Sequence, residues 1–415
     1  RALRVGDSVG QPQRLGRHSG GLVCSASAGW GLKNSRKPGL ADTRTGYNRN
    51  GHPAVPGSPA VASPSQTWRQ PTGIRLAYRL SLAVEATFRT FAAGLWGPAA
   101  DHAERGLPCT HKTRNDILER RAALSRDAGA ASVFLPDGVP LRVGAPLRQP
   151  DLAATIRRVA ADPASFYTGE PAERAVAALN EGGAPFSGEE WAASGEALTG
   201  DALTCTYQGL TLHLTPPPTP GWMVIQQALL NDGVLAEAPW LSAEAVGRAA
   251  DAARLAFADR FAGCGSDNDH WRTLLTKDAV DAARERLAAR DLPAPARPHV
   301  PVDGDTTSMV AVDADGMAVS LIHSLAFTFG ARFTVPGTGI VLNNRLGRGA
   351  YLIDGHPNEV RPRRRPLHTL NAWLVTGRDG ALRHVGNTPG GDGQVQWNMQ
   401  LISHLLDHGL DPATA

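Results

Sequence analysis

Residues 305–324 read DTTSMVAVDADGMAVSLIHS, and this stretch decides the fold. Residues alternate with a period of two on both sides of the turn sequence DADG at 313–316, so the pattern predicts an antiparallel β-hairpin. If the first and last residues of the turn pair, Thr306 lies opposite His323. A register that differs by one residue brings Ser324 to that position instead. The sequence therefore places a threonine at the start of one strand beside the end of the next.

Thr306 acquires a special chemistry only if the chain is cut before it. A cut between Asp305 and Thr306 gives the threonine a free α-amine, whose ordinary pKa lies close to neutral pH, as a base for its own hydroxyl. The proline-rich residues 291–304 predict an exposed loop that leads to this bond. Threonine is also a common strand former, so the pattern by itself leaves a purely structural role open. His323 likewise has two interpretations: it assists Thr306, or it packs in the core.

Composition excludes several classes of protein. The chain has 415 residues, of which 42% are hydrophobic and 20% charged, so a large core is expected. No uncharged apolar run is long enough for a membrane span. The four scattered cysteines lack the spacing of a disulfide scaffold or a metal site, and we predict neither a metal nor a cofactor. No signal-peptide pattern opens the chain, which slightly favours the cytoplasm and leaves the compartment unknown.

The first hundred residues differ from the rest in charge. They hold 13 Lys and Arg against 3 Asp and Glu, a net of +10, so the rest of the chain carries −7 to give the total of +3. Three interpretations are open: an arm that binds nucleic acid, a segment of low order, or sequence outside the native reading frame. We favour a basic segment of low order at residues 1–100 and predict no nucleic-acid partner.

Residues 101–304 have mainly helical periodicity. A helix is predicted over 101–126, a second is expected to be capped by Asp151, and a third spans 171–179. Ser242 precedes a longer helix, in which apolar residues recur at helical spacing.

A series of short motifs follows the hairpin in a fixed order. In chain order they are Asp305-Thr306-Thr307, VDADGMAVS at 312–320, Phe329-Gly330, PGTGIVLNN at 336–344, GHPN at 355–358, RPL at 365–367 and PGG at 389–391. Upstream, PPP at 216–218 and AFADR at 256–260 belong to the same series. Together they resemble the γ-glutamyltransferase (glutathione hydrolase) family of N-terminal-nucleophile enzymes.

The resemblance implies an α+β fold, a four-layer αββα sandwich, and a proenzyme that cuts itself between Asp305 and Thr306. It divides the chain into a large-subunit part at 101–305 and a small-subunit part at 306–415, with the segment at 1–100 outside the alignment. We expect the chain to be incomplete at both ends. The expected partners are a small-molecule amide or peptide substrate and the two subunits themselves, which stay together.

The resemblance also assigns roles to single residues. Thr306 matches the nucleophile, and Ser324 stands where a hydroxyl residue assists it. Gly390 and Gly391 match the pair whose backbone N–H groups form the oxyanion hole. Glycine suits that role because a backbone donor must come close to the developing charge.

The candidate substrate-binding residues depart from the family pattern. Arg348 falls where the family has an aspartate for the glutamyl ammonium, and Ala326 replaces an asparagine that helps the nucleophile. His368 and Thr369 replace a serine pair that contacts the glutamyl carboxylate, and Asn344 lies in a stretch that surrounds the site. A cation in place of an anion reverses the charge preference, so an anionic substrate without the amine should fit better.

Three functions therefore remain open. The first is hydrolysis or transfer of γ-glutamyl amides such as glutathione through an acyl-Thr306 intermediate. The second is the same threonine chemistry on another anionic amide or related acyl bond. The third is a non-catalytic chain, either a pseudoenzyme or an inactive fragment.

Overall fold

The computed structural model describes residues 92–195, 200–294, 304, 306–314, 316–362 and 364–415. The chain divides into two units, 1–61 and 62–415, and the described residues all belong to the second. The predicted basic segment at 1–100 thus lies almost wholly outside the described residues. Asp305, at the predicted cut, also lies outside them.

Helices dominate the first part of the described chain, and most strands follow residue 200. The α-helices are α1 (Ala92–Arg105), α2 (His111–Leu124), α3 (Ala128–Phe134), α4 (Pro150–Ala161), α5 (Ser165–Thr168), α6 (Glu170–Glu181), α7 (Gly188–Ala192), α8 (Gly221–Asn231), α9 (Ala243–Gly263), α10 (His270–Leu274), α11 (Lys277–Ala288), α12 (Arg345–Gly349) and α13 (Gln394–Leu406). The strands are β1 (Leu107–Pro108), β2 (Pro146–Leu147), β3 (Leu203–Tyr207), β4 (Leu210–Leu214), β5 (Thr306–Val312), β6 (Ala318–Ser324), β7 (Thr334–Val335), β8 (Ile340–Val341), β9 (Ala372–Thr376) and β10 (Leu382–Asn387). None of the helices in the described ranges is long and apolar enough to cross a membrane.

The helix predictions are confirmed in part. The helix predicted over 101–126 is interrupted, because Gly106 has a positive φ of 88° and Pro108 lacks the N–H that a continuing helix needs. Asp151 does not cap its helix: α4 begins one residue earlier, and Asp151 lies in the first turn, where a negative charge is still favourable. The longer helix begins directly after Ser242 as predicted, and Ser242 caps it, since its hydroxyl accepts a hydrogen bond from the Ala245 N–H at 3.1 Å.

The main sheet joins strands from distant parts of the chain. Its order is β10-β9-β4-β3, with antiparallel neighbours throughout. One face packs on α8, α9 and α13 and forms the largest hydrophobic cluster of the described residues, which includes Trp222 and Trp373. The indole N–H of Trp373 donates to Asn398 Oδ1 at 3.0 Å, so this buried polar group is satisfied. The mixture of helices and sheet confirms the predicted α+β class.

The hairpin β5–β6 lies on the other face of the main sheet. Successive side chains of a strand point to opposite faces, and Trp373, which pairs with Gly386, points to the helices. Asn387 therefore points away from the helices, and its amide donates to the backbone carbonyls of Met309 and Leu321 at 3.1 and 3.2 Å. Helices, main sheet and hairpin form three successive layers.

The turn of the hairpin differs from the one that we predicted. In the strand register Asp313 stands opposite Met317: its N–H donates to the Met317 carbonyl at 3.0 Å, and its Oδ1 accepts from the Met317 N–H at 2.8 Å. Within the turn, the Gly316 N–H donates to the Asp313 carbonyl at 3.2 Å. Gly316 supplies the positive φ, 87°, that this longer loop requires.

The longer turn shifts the register by one residue along the whole hairpin. Thr306 pairs with Ser324, and Thr307 pairs with His323. The register that pairs Thr306 with His323 is therefore wrong, and the alternative register left open by the sequence, with Ser324 opposite Thr306, is the one observed. Because neighbours on a strand face opposite ways, His323 lies on the exposed face while Ser324 is buried.

Candidate active site

Thr306 and Ser324 meet at the open end of the hairpin. Their direct pairing puts both side chains on one face, and the Thr306 hydroxyl donates to Ser324 Oγ at 2.9 Å. The same oxygen accepts the Ala326 N–H at 3.0 Å, which fixes the position of the serine hydroxyl. The structure thus brings together the two hydroxyl groups that the sequence singled out.

The chain that follows Ser324 is strained. Ala326, Phe329 and Arg332 have φ values of 76°, 58° and 56°, a region that costs an L residue about 1–2 kcal/mol. Ala326 is buried, and the loop ends where the Asn344 N–H donates to the Leu325 carbonyl at 3.0 Å. Such strain in residues other than glycine is typical of functional sites.

Gly390 and Gly391 lie just before α13 in conformations that residues with a side chain rarely adopt. Their φ values are 130° and 58°, and a Cβ atom on Gly391 would stand 2.6 Å from Nη1 of Arg348. A Cβ atom on Gly304 would stand 3.9 Å from the backbone nitrogen of Gly391. Gly304, two residues before the candidate nucleophile, therefore lies beside the glycine pair.

Arg348 lies at this site, and its charge has a partner. Its guanidinium is 3% exposed, sits 4.4 Å over the Phe327 ring, and donates from Nη1 to Asp392 Oδ2 at 3.1 Å. The other oxygen of Asp392 accepts from Nη1 of Arg260 at 2.7 Å. Burial by itself would raise the pKa of Asp392, but Arg260 and Arg348 outweigh it and lower that pKa. Asp392 is therefore an ionised bridge between two buried arginines.

Sequence reasoning missed this bridge. It placed Arg348 in the substrate pocket and gave no role to Asp392 or Arg260. The position of Asp392 directly after the glycine pair was the available signal, because a carboxylate there must lie close to whatever packs on the glycines.

Arg345 is a second buried cation on α12. It is 2% exposed, and its Nη1 donates to Thr369 Oγ1 at 2.8 Å. Its Nη2 is buried and has no hydrogen-bond partner among the described residues. Burial and the neighbouring Arg348 lower the pKa of Arg345 to about 9, so it is still a cation at neutral pH. No motif in the sequence singled out this residue.

The other predicted substrate-binding residues pack around the arginines. His368 is buried, and burial together with Arg345 lowers its pKa well below the ordinary value, so its imidazole is neutral at neutral pH. Thr369 contacts Arg345. Asn344 caps α12, because its Oδ1 accepts the Gly347 N–H at 3.2 Å. Direct contact of these side chains with a substrate stays a prediction. No cluster of His, Cys, Asp and Glu in the described ranges could hold a metal ion.

Fold and site together define a class of protein. A strand that begins with threonine, a second hydroxyl beside it and a closely packed glycine pair, on an α+β fold, are the parts of an N-terminal-nucleophile hydrolase. The sequence profile described as gamma-glutamyltranspeptidase matches residues 90–415, and the chain belongs to that family. The family predicted from the sequence motifs is therefore confirmed.

Individual relatives carry several names. The chain is 30% identical over 344 residues to the glutathione hydrolase-like YwrD proenzyme of Bacillus subtilis (79% of this chain, 62% of the relative). It is 32% identical over 324 residues to the oxamate amidohydrolase proenzyme of Klebsiella pneumoniae (77% and 60%). Among solved structures, cephalosporin acylase from Bacillus halodurans matches with a TM-score of 0.64 and 25% identity (76% and 59%), which supports the predicted αββα architecture. The chain spans about three fifths of the length of these relatives.

Proposed function

We propose that this chain is a self-processing amidohydrolase or acyltransferase that uses Thr306 as an N-terminal nucleophile. The observation that carries the proposal is the 2.9 Å contact between the Thr306 and Ser324 hydroxyls. The names of the Bacillus subtilis and Klebsiella pneumoniae relatives support it, since each is called a proenzyme. No cofactor enters the proposed chemistry.

Processing needs only groups of the chain and one water molecule. The Thr306 hydroxyl attacks the carbonyl carbon of Asp305, the C–N bond breaks, and the nitrogen gains the proton that the hydroxyl loses. Water then hydrolyses the resulting ester and leaves Thr306 with a free α-amine. The cut divides the chain into a part that ends at Asp305 and a part that begins at Thr306.

Turnover uses the new amine as the base. It takes the proton of the Thr306 hydroxyl while the oxygen attacks the substrate amide, and Ser324 holds that oxygen in place. The N–H groups of Gly390 and Gly391 stabilise the oxyanion, and the proton passes to the leaving amine. Water or a second amine then removes the acyl group from Thr306.

Two substrate classes fit this chemistry. One is γ-glutamyl amides, as the name glutathione hydrolase-like of one relative suggests. The other is an amide whose acyl group carries a negative charge and no ammonium. A specific observation favours the second class: Arg260, Arg345 and Arg348 face a single carboxylate, Asp392, among the described residues of the cluster.

The first experiment asks whether the chain is cut before Thr306. Mass measurement of the purified wild-type protein should give two polypeptides whose junction is Asp305–Thr306. Thr306→Ala should give one uncut chain, and the matched Thr306→Ser variant, which keeps a hydroxyl, should still be cut, at a lower rate. A Thr306→Ala variant that is cut at the same bond would remove Thr306 from the mechanism.

A further inference from the structure

We propose that Trp397 is a specificity-determining residue that contacts the leaving amine of the substrate, and that the favoured amine carries an aromatic ring, as in a benzylamide or an anilide. This inference rests on the proposed function, because it describes the amide that Thr306 cleaves. The two substrate classes differ in the acyl group, whereas Trp397 is assigned to the amine on the other side of the scissile bond.

The indole of Trp397 lies against the turn that contains the glycine pair. A Cβ atom on Gly390 would overlap with Cζ3 of the indole, and a Cβ atom on Gly393 would stand 2.8 Å from its Cζ2. Gly393 precedes Trp397 by four residues, so the two lie on the same face at the start of α13. The indole thus occupies the space that side chains at these two glycines would need.

Trp397 is unusually exposed for a residue of its type. It is 43% exposed, whereas its neighbours Val395, Asn398 and Met399 on α13 are buried. Tryptophan is buried to a high degree in most proteins. An exposed indole leaves apolar area in contact with water, and a ligand that covers this area gains free energy. The indole therefore offers a flat apolar surface beside the glycine pair.

The reacting atoms lie close to this surface. A Cβ atom on Gly304 would stand 3.9 Å from the backbone nitrogen of Gly391. Thr306 follows Gly304 by two residues, so their Cα atoms are at most about 7 Å apart. In the proposed mechanism the substrate carbonyl lies between the Thr306 hydroxyl and the N–H groups of Gly390 and Gly391. Because Trp397 contacts Gly390, a group bonded to that carbonyl comes within reach of the indole.

The two flanks of the glycine pair differ in their access to solvent. On one flank Nη1 of Arg348 would stand 2.6 Å from a Cβ atom on Gly391, and Arg348 is only 3% exposed. On the other flank lies the exposed Trp397. During turnover the acyl group stays on Thr306 while the amine leaves and water or a second amine enters, and both movements need an open path. The open flank therefore belongs to the amine, which passes along Trp397.

The chemistry of the indole selects the kind of amine. An indole carries no charge, and it attracts a second aromatic ring through offset or edge-to-face contact. A small amine such as methylamine leaves the indole of Trp397 in contact with water. An amine that carries a ring, such as benzylamine, covers the indole and gains both apolar burial and ring contact.

The test is a competition between the N-benzyl and the N-methyl amide of one acid, mixed in a single reaction with the processed enzyme. Mass spectrometry of the released benzylamine and methylamine gives the ratio of the two kcat/KM values. A γ-glutamyl pair and a glutaryl pair are run in parallel, so the result does not depend on the acyl group. The wild type should favour the benzyl amide, and Trp397→Ala should lower the ratio about tenfold, the scale of one aromatic pair.

The ratio separates recognition of the amine from a purely structural role. A distorted oxyanion turn would slow both amides equally and leave the ratio unchanged. Trp397→Phe keeps a ring and should keep most of the preference, whereas Trp397→Leu is apolar without a ring and should behave like Trp397→Ala. Trp240→Ala is the matched control, because Trp240 is 40% exposed and contacts His404 near the other end of α13.

The outcomes distinguish this inference from the proposed function. Equal ratios in the wild type and Trp397→Ala would overturn the role of Trp397 and leave the threonine chemistry standing. A wild type that is cut before Thr306 but releases neither amine would also overturn it. A wild type that is not cut at all would contradict the proposed function itself. If Trp397→Ala fails to fold, Trp397→Leu takes its place, and a wild-type ratio in that variant would count against the inference.

Discussion

Asp392 connects two arginines that lie on opposite sides of the proposed cut. Arg260 belongs to α9, upstream of Thr306, and Arg348 belongs to α12, downstream of it. Both guanidinium groups are buried, and each forms an ion pair with this carboxylate. Asp392 also lies in the turn that contains Gly391, so the ion pairs hold the candidate oxyanion donor in place.

We expect Asp392→Asn to lower the free energy of unfolding by about 3–5 kcal/mol at neutral pH, because it leaves buried cations without their countercharge. Asp379→Asn is the control, since Asp379 and its partner Arg383 are both exposed, and it should change stability by less than about 1 kcal/mol. Urea denaturation of the two variants and the wild type measures the difference. Equal midpoints for Asp392→Asn and the wild type would show that the bridge does not stabilise the fold.

The same variant should show a characteristic pH dependence. The pKa of Asp392 is lower in the folded protein than its ordinary value, so its stabilising effect is complete above the ordinary value. That effect is lost as the pH falls through the lowered folded value. The stability difference between wild type and Asp392→Asn should therefore shrink in acid, and a difference that grows in acid would contradict the ionised bridge.

At the scale of elements, the hairpin shows what sequence can predict. The alternation of residues 305–324 identified both strands and the turn, but two loop lengths were compatible with the turn sequence. The side chain of Asp313, which accepts the Met317 N–H, selects the longer loop. That choice decides whether Thr306 faces Ser324 or His323.

Asp313→Ala should therefore slow processing. It removes one hydrogen bond, worth about 0.5–1.5 kcal/mol, and with it the preference for the register that pairs Thr306 with Ser324. Asp313→Asn keeps an acceptor oxygen and should be processed close to the wild-type rate. The rate at which the cut chains appear on a denaturing gel gives the comparison, and identical rates for the two variants would rule out a role of Asp313 in the register.

The candidate site was predictable only in part, for a physical reason. Family motifs in the sequence singled out Thr306, Ser324 and the glycine pair as candidates, because their proposed chemistry depends on residue type and on local position. Arg345 and Asp392 were not identified, because the pairing of buried charges depends on which elements pack together. Which elements pack together cannot be predicted from the motifs of a single sequence.

At the scale of the whole molecule, the main sheet is shared between the two sides of the proposed cut. β3 and β4 precede Thr306, whereas β9 and β10 follow it, and β4 pairs directly with β9. The largest core cluster is shared in the same way, since Trp222 on α8 and Ile402 on α13 both belong to it. Cleavage of one peptide bond leaves all of these contacts intact.

We accordingly expect the cut chains to stay together in native buffer and to separate only in denaturant. Size-exclusion chromatography of the processed wild type should give one peak at the elution volume of uncut Thr306→Ala, and a denaturing gel of that peak should show both chains. Two separate peaks in native buffer would contradict a shared sheet.

The pairing of β4 with β9 also concerns the time at which the protein is made. A ribosome synthesises β4 long before β9, so the sheet cannot close until most of the chain has left the exit tunnel. The glycine pair and Asp392 emerge later still, after Thr306 has been synthesised. A nascent chain therefore has the proposed nucleophile without the proposed oxyanion donors. Under the proposed mechanism, self-cleavage would occur only after translation and folding have reached α13.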